Sequence, residues 1–376
     1  MSQKLPVRSI VATAVATLAF ALGAVVDPTR AAFSYLTAFS FCLTVAVGVL
    51  FWVMIAHATN AVWFVALRRS AESVLVTIPL FAVLFVPVVL ARKRLYPATF
   101  GASAEPDRYF ALPFFVARAA IYFAILWVLA FCLRRWSLRQ DTDPTLAHTA
   151  RLRVLSSVGL PTAGLALTFA SFDWLMALEP GFESSMYGVY VCTGAALSGL
   201  AYIAVLAQRH RHSGRLPPSV GVSHLFVVGK LMLTLVLFWA YTGFCQLLLI
   251  WIADLPAENG FYLARSRGSW SVIAAMVGVA HFALPFLALL SFRLKRSPAL
   301  VATVGVWLLV AHYIDVYWIV LPVLDRTGVR PHWLDLAALV ALGGASISYA
   351  TVRARHQNPV PVHDPRLERS LRFENA

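Results

Sequence analysis

His281 and His312 each sit near the middle of a long apolar run, and Asp315 follows the second histidine by three residues. A charge at the centre of a membrane helix costs roughly 2.5–3.5 kcal/mol on insertion scales, so ionisable groups at that depth usually mark pathways or sites. His312 and Asp315 share a helical face, and imidazole exchanges protons near neutrality. The combination suits a proton relay in which the histidines hand a proton to Asp315, with His312 and Asp315 titrating as a pair. Simple packing is the competing explanation. Two histidines at matching depth on consecutive helices, with an acid beside them, weaken it.

Sorted by depth, the other candidates lie toward the two membrane faces. His57, Glu72, His224 and Lys230 approach one face, and Asp173 and Glu179 lie at the other. The hydroxyls of Thr234 and Tyr241, or ordered water in a polar pocket, are the bridges between them. Lys230, Thr234, Tyr241 and Cys245 fall within about 60° of one another on their helix, a polar stripe on an apolar rod. Lys230 is close enough to the helix end to snorkel instead. Arg118 lies about two turns inside another apolar run, where it needs a carboxylate partner or an outward reach. No residue set is assigned a catalytic role.

Metal chemistry has little to stand on. Cys42, Cys132, Cys192 and Cys245 all fall within apolar runs, and neither CxxC nor CxxCH occurs. Covalent haem, a zinc knuckle and a cysteine-held iron–sulfur cluster therefore lack ligands. His210-Arg211-His212 reads as a cationic turn rather than a metal site. A haem b between His281 and His312 is the one redox centre the residues permit, and it is a minor reading beside the relay.

The elements that must hold these residues are apolar helices. The chain is 60% hydrophobic and only 13% charged over 376 residues, more apolar surface than one soluble core can hide. Ten runs reach the ~20 residues a bilayer requires: 9–26, 36–56, 74–91, 112–133, 154–172, 186–207, 222–252, 270–292, 299–323 and 333–352. No run alternates as a barrel strand does. The expected fold is all-α and polytopic, one ten-helix domain over 1–352 followed by a polar, unstructured tail over 353–376. Spans two to five and six to nine read as two four-helix bundles flanked by two extra helices. The first span has a signal-like basic flank but is long for a signal core, and an uncleaved helix is favoured.

Twenty Lys and Arg flank the face that carries both termini, Lys4 and Arg8 among them, against nine on the other. By the positive-inside rule the termini are cytoplasmic. The net charge of +14 then reflects topology and contact with anionic lipid, and a nucleic-acid partner is excluded. The connection over 171–190 lies on the outer side. It has no Lys or Arg, yet it carries Asp173, Trp174, Glu179 and Glu183. Uncompensated acid among aromatics suggests a surface that docks a partner; aromatics seated in the headgroup belt are the plainer alternative.

The same connection carries a family resemblance. Its most specific part is Phe172-Asp173-Trp174-Leu175-Met176-Ala177-Leu178-Glu179-Pro180 with Ser184-Ser185-Met186-Tyr187-Gly188. The match continues through Gly229-Lys230-Leu231-Met232, Phe238-Trp239-Ala240-Tyr241, Gln246-Leu247-Leu248-Leu249-Ile250-Trp251, Leu255-Pro256-Ala257-Glu258, and Asp315-Val316-Tyr317-Trp318 with Pro322. Upstream it takes in His57, Trp63, Arg68-Arg69, and Pro113-Phe114-Phe115 with Arg118. Over nearly its whole length the chain resembles the F subunit of alternative complex III, a bacterial membrane quinol:cytochrome c oxidoreductase related to the polysulphide-reductase membrane anchors. Gly181-Phe182-Glu183 departs from the pattern, where an aromatic such as Trp is more usual.

The resemblance implies two four-helix bundles with two extra helices in a bacterial inner membrane. It also implies a subunit without its own redox cofactor, in contact with quinone or quinol, beside a sister membrane subunit of the same fold. Haems c and iron–sulfur clusters would belong to extrinsic partner subunits. The leading expectation is therefore a respiratory-complex subunit contributing quinone-site structure, a transmembrane proton path, or both. A purely structural anchor for extrinsic redox subunits and a secondary transporter are the alternatives.

Overall fold

Proline and glycine set where the helices break and where they touch. The computed structural model describes residues 7–100, 108–143 and 145–374; Lys4, counted above for orientation, lies outside them. Among the described residues there is no strand, and ten helical segments are long and apolar enough to cross a membrane. They are Val7–Val26, Pro28–Ala58, Arg68–Leu90, Leu112–Arg139, Leu146–Leu178, Tyr187–His212, Val222–Ala253, Trp270–Leu290, Pro298–Val323 and Trp333–Ala354. The chain is an all-α polytopic membrane protein. Both described termini lie at one end of the molecule, called here the terminal end; the other is the hairpin end.

The second span organises the packing. Within its most apolar window, 89% is buried inside the protein, so it is a core helix rather than a lipid-facing one. It meets the sixth span through two glycines. A Cβ on Gly48 would lie 1.7 Å from the Ala195 carbonyl oxygen, and one on Gly199 would lie 2.3 Å from the Gly48 carbonyl carbon. Lipid supplies no hydrophobic drive between helices, so such backbone approach and its dispersion contacts hold them together. Trp52 adds a hydrogen bond to the Ala196 carbonyl at 2.8 Å. Spans three and five pack on the second span, with the fourth laid against those two; spans seven and nine pack on the sixth, with the eighth laid against those two. Spans one and ten pair with each other beside the second span, where Ser9 and Ser348 hydroxyls meet at 2.9 Å.

Two spans are locally irregular for reasons legible in the sequence. The third breaks into Arg68–Leu75, Ile78–Leu84 and Val86–Leu90, with Pro79 and Pro87 each in the first turn of a new segment, where a missing N–H costs nothing. In the eighth, Pro285 cannot donate to the carbonyl four residues back, that of His281. The helix absorbs this in a π turn over Gly278–Ala283, a device that widens the turn carrying the histidine.

The tail departs from expectation. Instead of an unstructured segment it forms a short helix, Leu367–Leu371, packed on the terminal end. Asp364 receives Arg68 Nη1 at 2.5 Å and Arg366 Nη2 at 3.1 Å. Ser370 Oγ accepts from the Ala66 amide at 3.1 Å, and the Ser370 carbonyl meets His224 Nε2 at 2.9 Å. Composition hid this, because the tail's polar residues are spent on partners within the same chain.

Candidate functional site

The π turn, the ninth span and the sixth span bring one polar group together inside the second bundle. His281 is fully buried, and its ring lies 3.9 Å, centroid to centroid, from Trp239 and 6.0 Å from His312. Neither His281 ring nitrogen has a hydrogen-bond partner among the described residues. His312 Nε2 meets Thr44 Oγ1 of the second span at 2.9 Å, while its Nδ1 is unpartnered. Gly194 opposite leaves room for this ring, since a Cβ there would approach His312 Cε1 to 3.2 Å. One turn on, Asp315 is buried and accepts a hydrogen bond from the Tyr190 hydroxyl. Tyr190 in turn packs on Trp239 at 5.4 Å. No Lys or Arg pairs with Asp315 among the described residues.

Tyr190 and Trp239 also line a cavity of about 950 Å³ between the seventh and eighth spans and the helix Pro256–Arg265. Its walls are mostly aromatic and aliphatic, with Gln246, Asp254, Asn259, Tyr262, Arg265 and Ser266 as the polar exceptions. Burial lowers the Arg265 guanidinium to about 10, against the opposing pull of Glu179. A ligand there would lie against the phenol that holds Asp315. A haem between the histidines fits poorly, because Thr44 already occupies His312 Nε2 and Trp239 covers His281.

No family model matches this chain, and no curated protein matches it. What the site can do rests on its own geometry.

The remaining relay candidates do not join this cluster. Lys230, Thr234 and Tyr241 are all exposed: Lys230 Nζ lies over the Phe226 ring at 4.9 Å, and Tyr241 borders the open side of the aromatic cavity without reaching Asp315 or the histidines. The polar stripe of the seventh span is its outer face. Its inner face carries His224, Met232, Trp239 and Gln246. His57, Glu72 and His224 are buried at the terminal end. Glu72 is held by Arg68 at 3.3 Å and Arg69 at 3.0 Å. From Thr44 to His57 is about 20 Å along the second span, and Val47, Leu50, Val53 and Met54 between them are buried and apolar. Along the second span, buried apolar residues therefore separate the His–Asp cluster from His57 at the terminal end.

The acidic hairpin also reads differently in space. Asp173 and Glu179 are buried, as is Trp174, so these three are not available as an outward docking surface; only Glu183 is exposed. Asp173 accepts Arg118 Nε at 2.8 Å and Nη2 at 3.1 Å, with the Tyr109 and Tyr122 hydroxyls at 2.9 Å each. Arg118 therefore takes the carboxylate partner rather than snorkelling, and its guanidinium also stacks 3.7 Å from the Tyr109 ring centroid. Glu179 meets Arg326 at 2.5 Å and Arg265 at 3.7 Å. The acid is compensated from neighbouring elements, which is why a hairpin without Lys or Arg is misleading.

Several site residues carried no usable sequence signal. Tyr190 sits near a span end, where tyrosine is the ordinary headgroup residue. Thr44 is one hydroxyl in a long apolar helix. Arg265 lies outside every apolar run, yet it donates to the Phe261 carbonyl of its own helix and to the Trp318 and Ile319 carbonyls at the end of the ninth span. Arg30 and Asp335 form a further buried pair, with Ser34 on the second carboxylate oxygen at 2.6 Å. Their residue types suit such a pair, but partners 305 residues apart cannot be matched from one sequence.

Proposed function

We propose that this chain is a membrane subunit of a quinol-oxidising electron-transfer complex in a bacterial inner membrane, and that its second bundle receives protons from quinol. The observation carrying this reading is the adjacency of an aromatic cavity to Tyr190, Asp315, His312 and His281. A quinol is an aromatic diol on an apolar tail, and the cavity offers rings for the head and an apolar wall for the tail. Its oxidation releases two protons and two electrons. The protons need buried bases, and the Tyr190–Asp315 pair backed by the histidines provides them. The electrons need redox centres, which by the family resemblance sit on extrinsic haem c and iron–sulfur partners.

The basic-residue asymmetry supports cytoplasmic termini, so the cavity faces the outer half of the membrane and protons leave outward. The apolar stretch between Thr44 and His57 argues for this half-path rather than a wire across the bilayer. That same stretch favours the structural-anchor reading, in which the buried cluster only pins helices. Purification of the chain from its native membrane separates the two. The proposal expects co-purifying haem c and iron–sulfur subunits with quinol-dependent reduction of cytochrome c, and slowed turnover in Asp315→Asn. Normal turnover in that variant would leave the anchor reading; recovery of the chain alone, without quinol oxidation, would remove both.

A further inference from the structure

Arginines elsewhere in the buried structure have carboxylates. Arg30, Arg68, Arg69, Arg118 and Arg265 each have one within 4.0 Å. Four others converge without any. Arg134, Arg135, Arg139 and Arg353 line one pocket of about 770 Å³ at the terminal end, between the third, fourth and tenth spans. Among the described residues none of the four forms an ion pair. The acids of adjoining elements are already engaged: Glu72 by Arg68 and Arg69, Asp141 by Arg69 at 2.6 Å, and Asp143 by His148 at 3.1 Å. Arg134 is half-buried and its Nε has no hydrogen-bond partner. Arg353 finds the hydroxyl of Tyr349 at 3.4 Å and the face of the same ring at 5.5 Å, and Arg135 the face of Phe131 at 5.7 Å.

The wall of the pocket continues toward the membrane centre as Pro79, Trp127 and Phe131. A site with guanidinium forks at the water end and rings at the hydrocarbon end matches an amphiphile, not a free ion. We infer that this pocket binds an anionic phospholipid, its phosphate held by Arg134, Arg135, Arg139 and Arg353 and an acyl chain laid along Trp127 and Phe131. Planar guanidinium forks bind phosphate in pairs of parallel hydrogen bonds, and basic pockets between spans at the membrane edge are where such headgroups lodge. The bound headgroup relieves the mutual repulsion of four cations and ties the third, fourth and tenth spans at one point. The inference stands apart from the proposed function, because the pocket belongs to the first bundle and the tenth span.

Native mass spectrometry of the full chain, released from vesicles of mixed phosphatidylglycerol, cardiolipin and phosphatidylcholine, tests it. Wild-type protein should retain anionic lipid in preference to phosphatidylcholine. Arg134→Gln/Arg353→Gln should lower that retention about tenfold or more. Arg293→Gln/Arg296→Gln, which removes two exposed arginines from the terminal end of the second bundle, should leave it unchanged. Equal losses in both variants would mean general surface attraction and overturn the site. No loss in the first variant would overturn it as well, and so would displacement of the lipid by millimolar inorganic phosphate. Should the first variant fail to fold, a photo-crosslinking phosphatidylglycerol on wild-type protein decides the matter. Adducts within 127–139 and 349–357 support the pocket, and adducts spread over the terminal end refute it.

Discussion

The two four-helix bundles bury polar groups on opposite terms. In the first, the buried carboxylates at both ends are paired with cations: Asp173 has Arg118 and two phenols, and Glu72 has two arginines. In the second, at mid-membrane depth, Asp315 has a phenol but no cation, and His281 has no hydrogen bond among the described residues. Closed networks specify packing, whereas unpaired ionisable groups inside a membrane are costly and persist where they are used. The proposed function rests on that contrast, with packing assigned to the paired carboxylates of the first bundle and proton acceptance to the unpaired groups of the second.

Substitution of the two aspartates is the sharpest way to break that contrast. Asp173→Asn leaves Arg118 buried without its counter-charge, a change that costs about 3–5 kcal/mol in comparable buried pairs. Thermal melting in detergent should show a large loss of folded protein. Asp315→Asn keeps an oxygen for the Tyr190 hydroxyl and strands no cation, so its loss should stay within about 1.5 kcal/mol. Similar losses in the two variants would erase the distinction.

The seam between the bundles comes next. Gly48→Leu pushes a side chain into the Ala195 carbonyl, and overpacking of this kind costs about 1–3 kcal/mol or more. The same substitution at Gly164, where a Cβ meets nothing within 4 Å, should be nearly silent. Thr44→Val removes the one hydrogen bond of His312 and should cost about 1 kcal/mol, read from the same melting curves.

Much of this architecture is legible in the sequence, because span number, helix class and the depth of His281, His312 and Asp315 follow from runs of apolar residues. What the sequence withholds is which way a helix turns. Lys230, Thr234 and Tyr241 do form a stripe, but it faces outward, and periodicity alone cannot tell a stripe turned to lipid from one turned to a pore. Compensation at a distance is equally hidden: Glu179 looks bare until Arg265 and Arg326 fold back over it. The proline four residues after His281 was visible, and its consequence, the π turn, follows from the missing N–H.

The smallest expected effect concerns the tail. Burial alone would raise the Asp364 carboxyl, but the hydrogen bonds from Arg366 and the charges of Arg68 and Arg366 outweigh it and hold the group below its ordinary value of 3.8. A depressed carboxylate stabilises the fold above its unfolded-state value, and that stability is lost as pH falls through the folded-state one. The tail should therefore stay docked at neutral and mildly acidic pH and release only below about pH 4. Hydrogen exchange at 364–371 across a pH series checks this; release at pH 6 would contradict it.

Quinol-driven cytochrome c reduction in native membranes carrying Asp315→Asn tests the central claim most directly, with the chain quantified in the same membranes. A proton-accepting role for the Tyr190–Asp315 pair predicts turnover at least about tenfold below wild type, a barrier increase near 1.4 kcal/mol, at an unchanged level of assembled protein. Wild-type turnover in that variant, with the same result for His312→Phe, would contradict it.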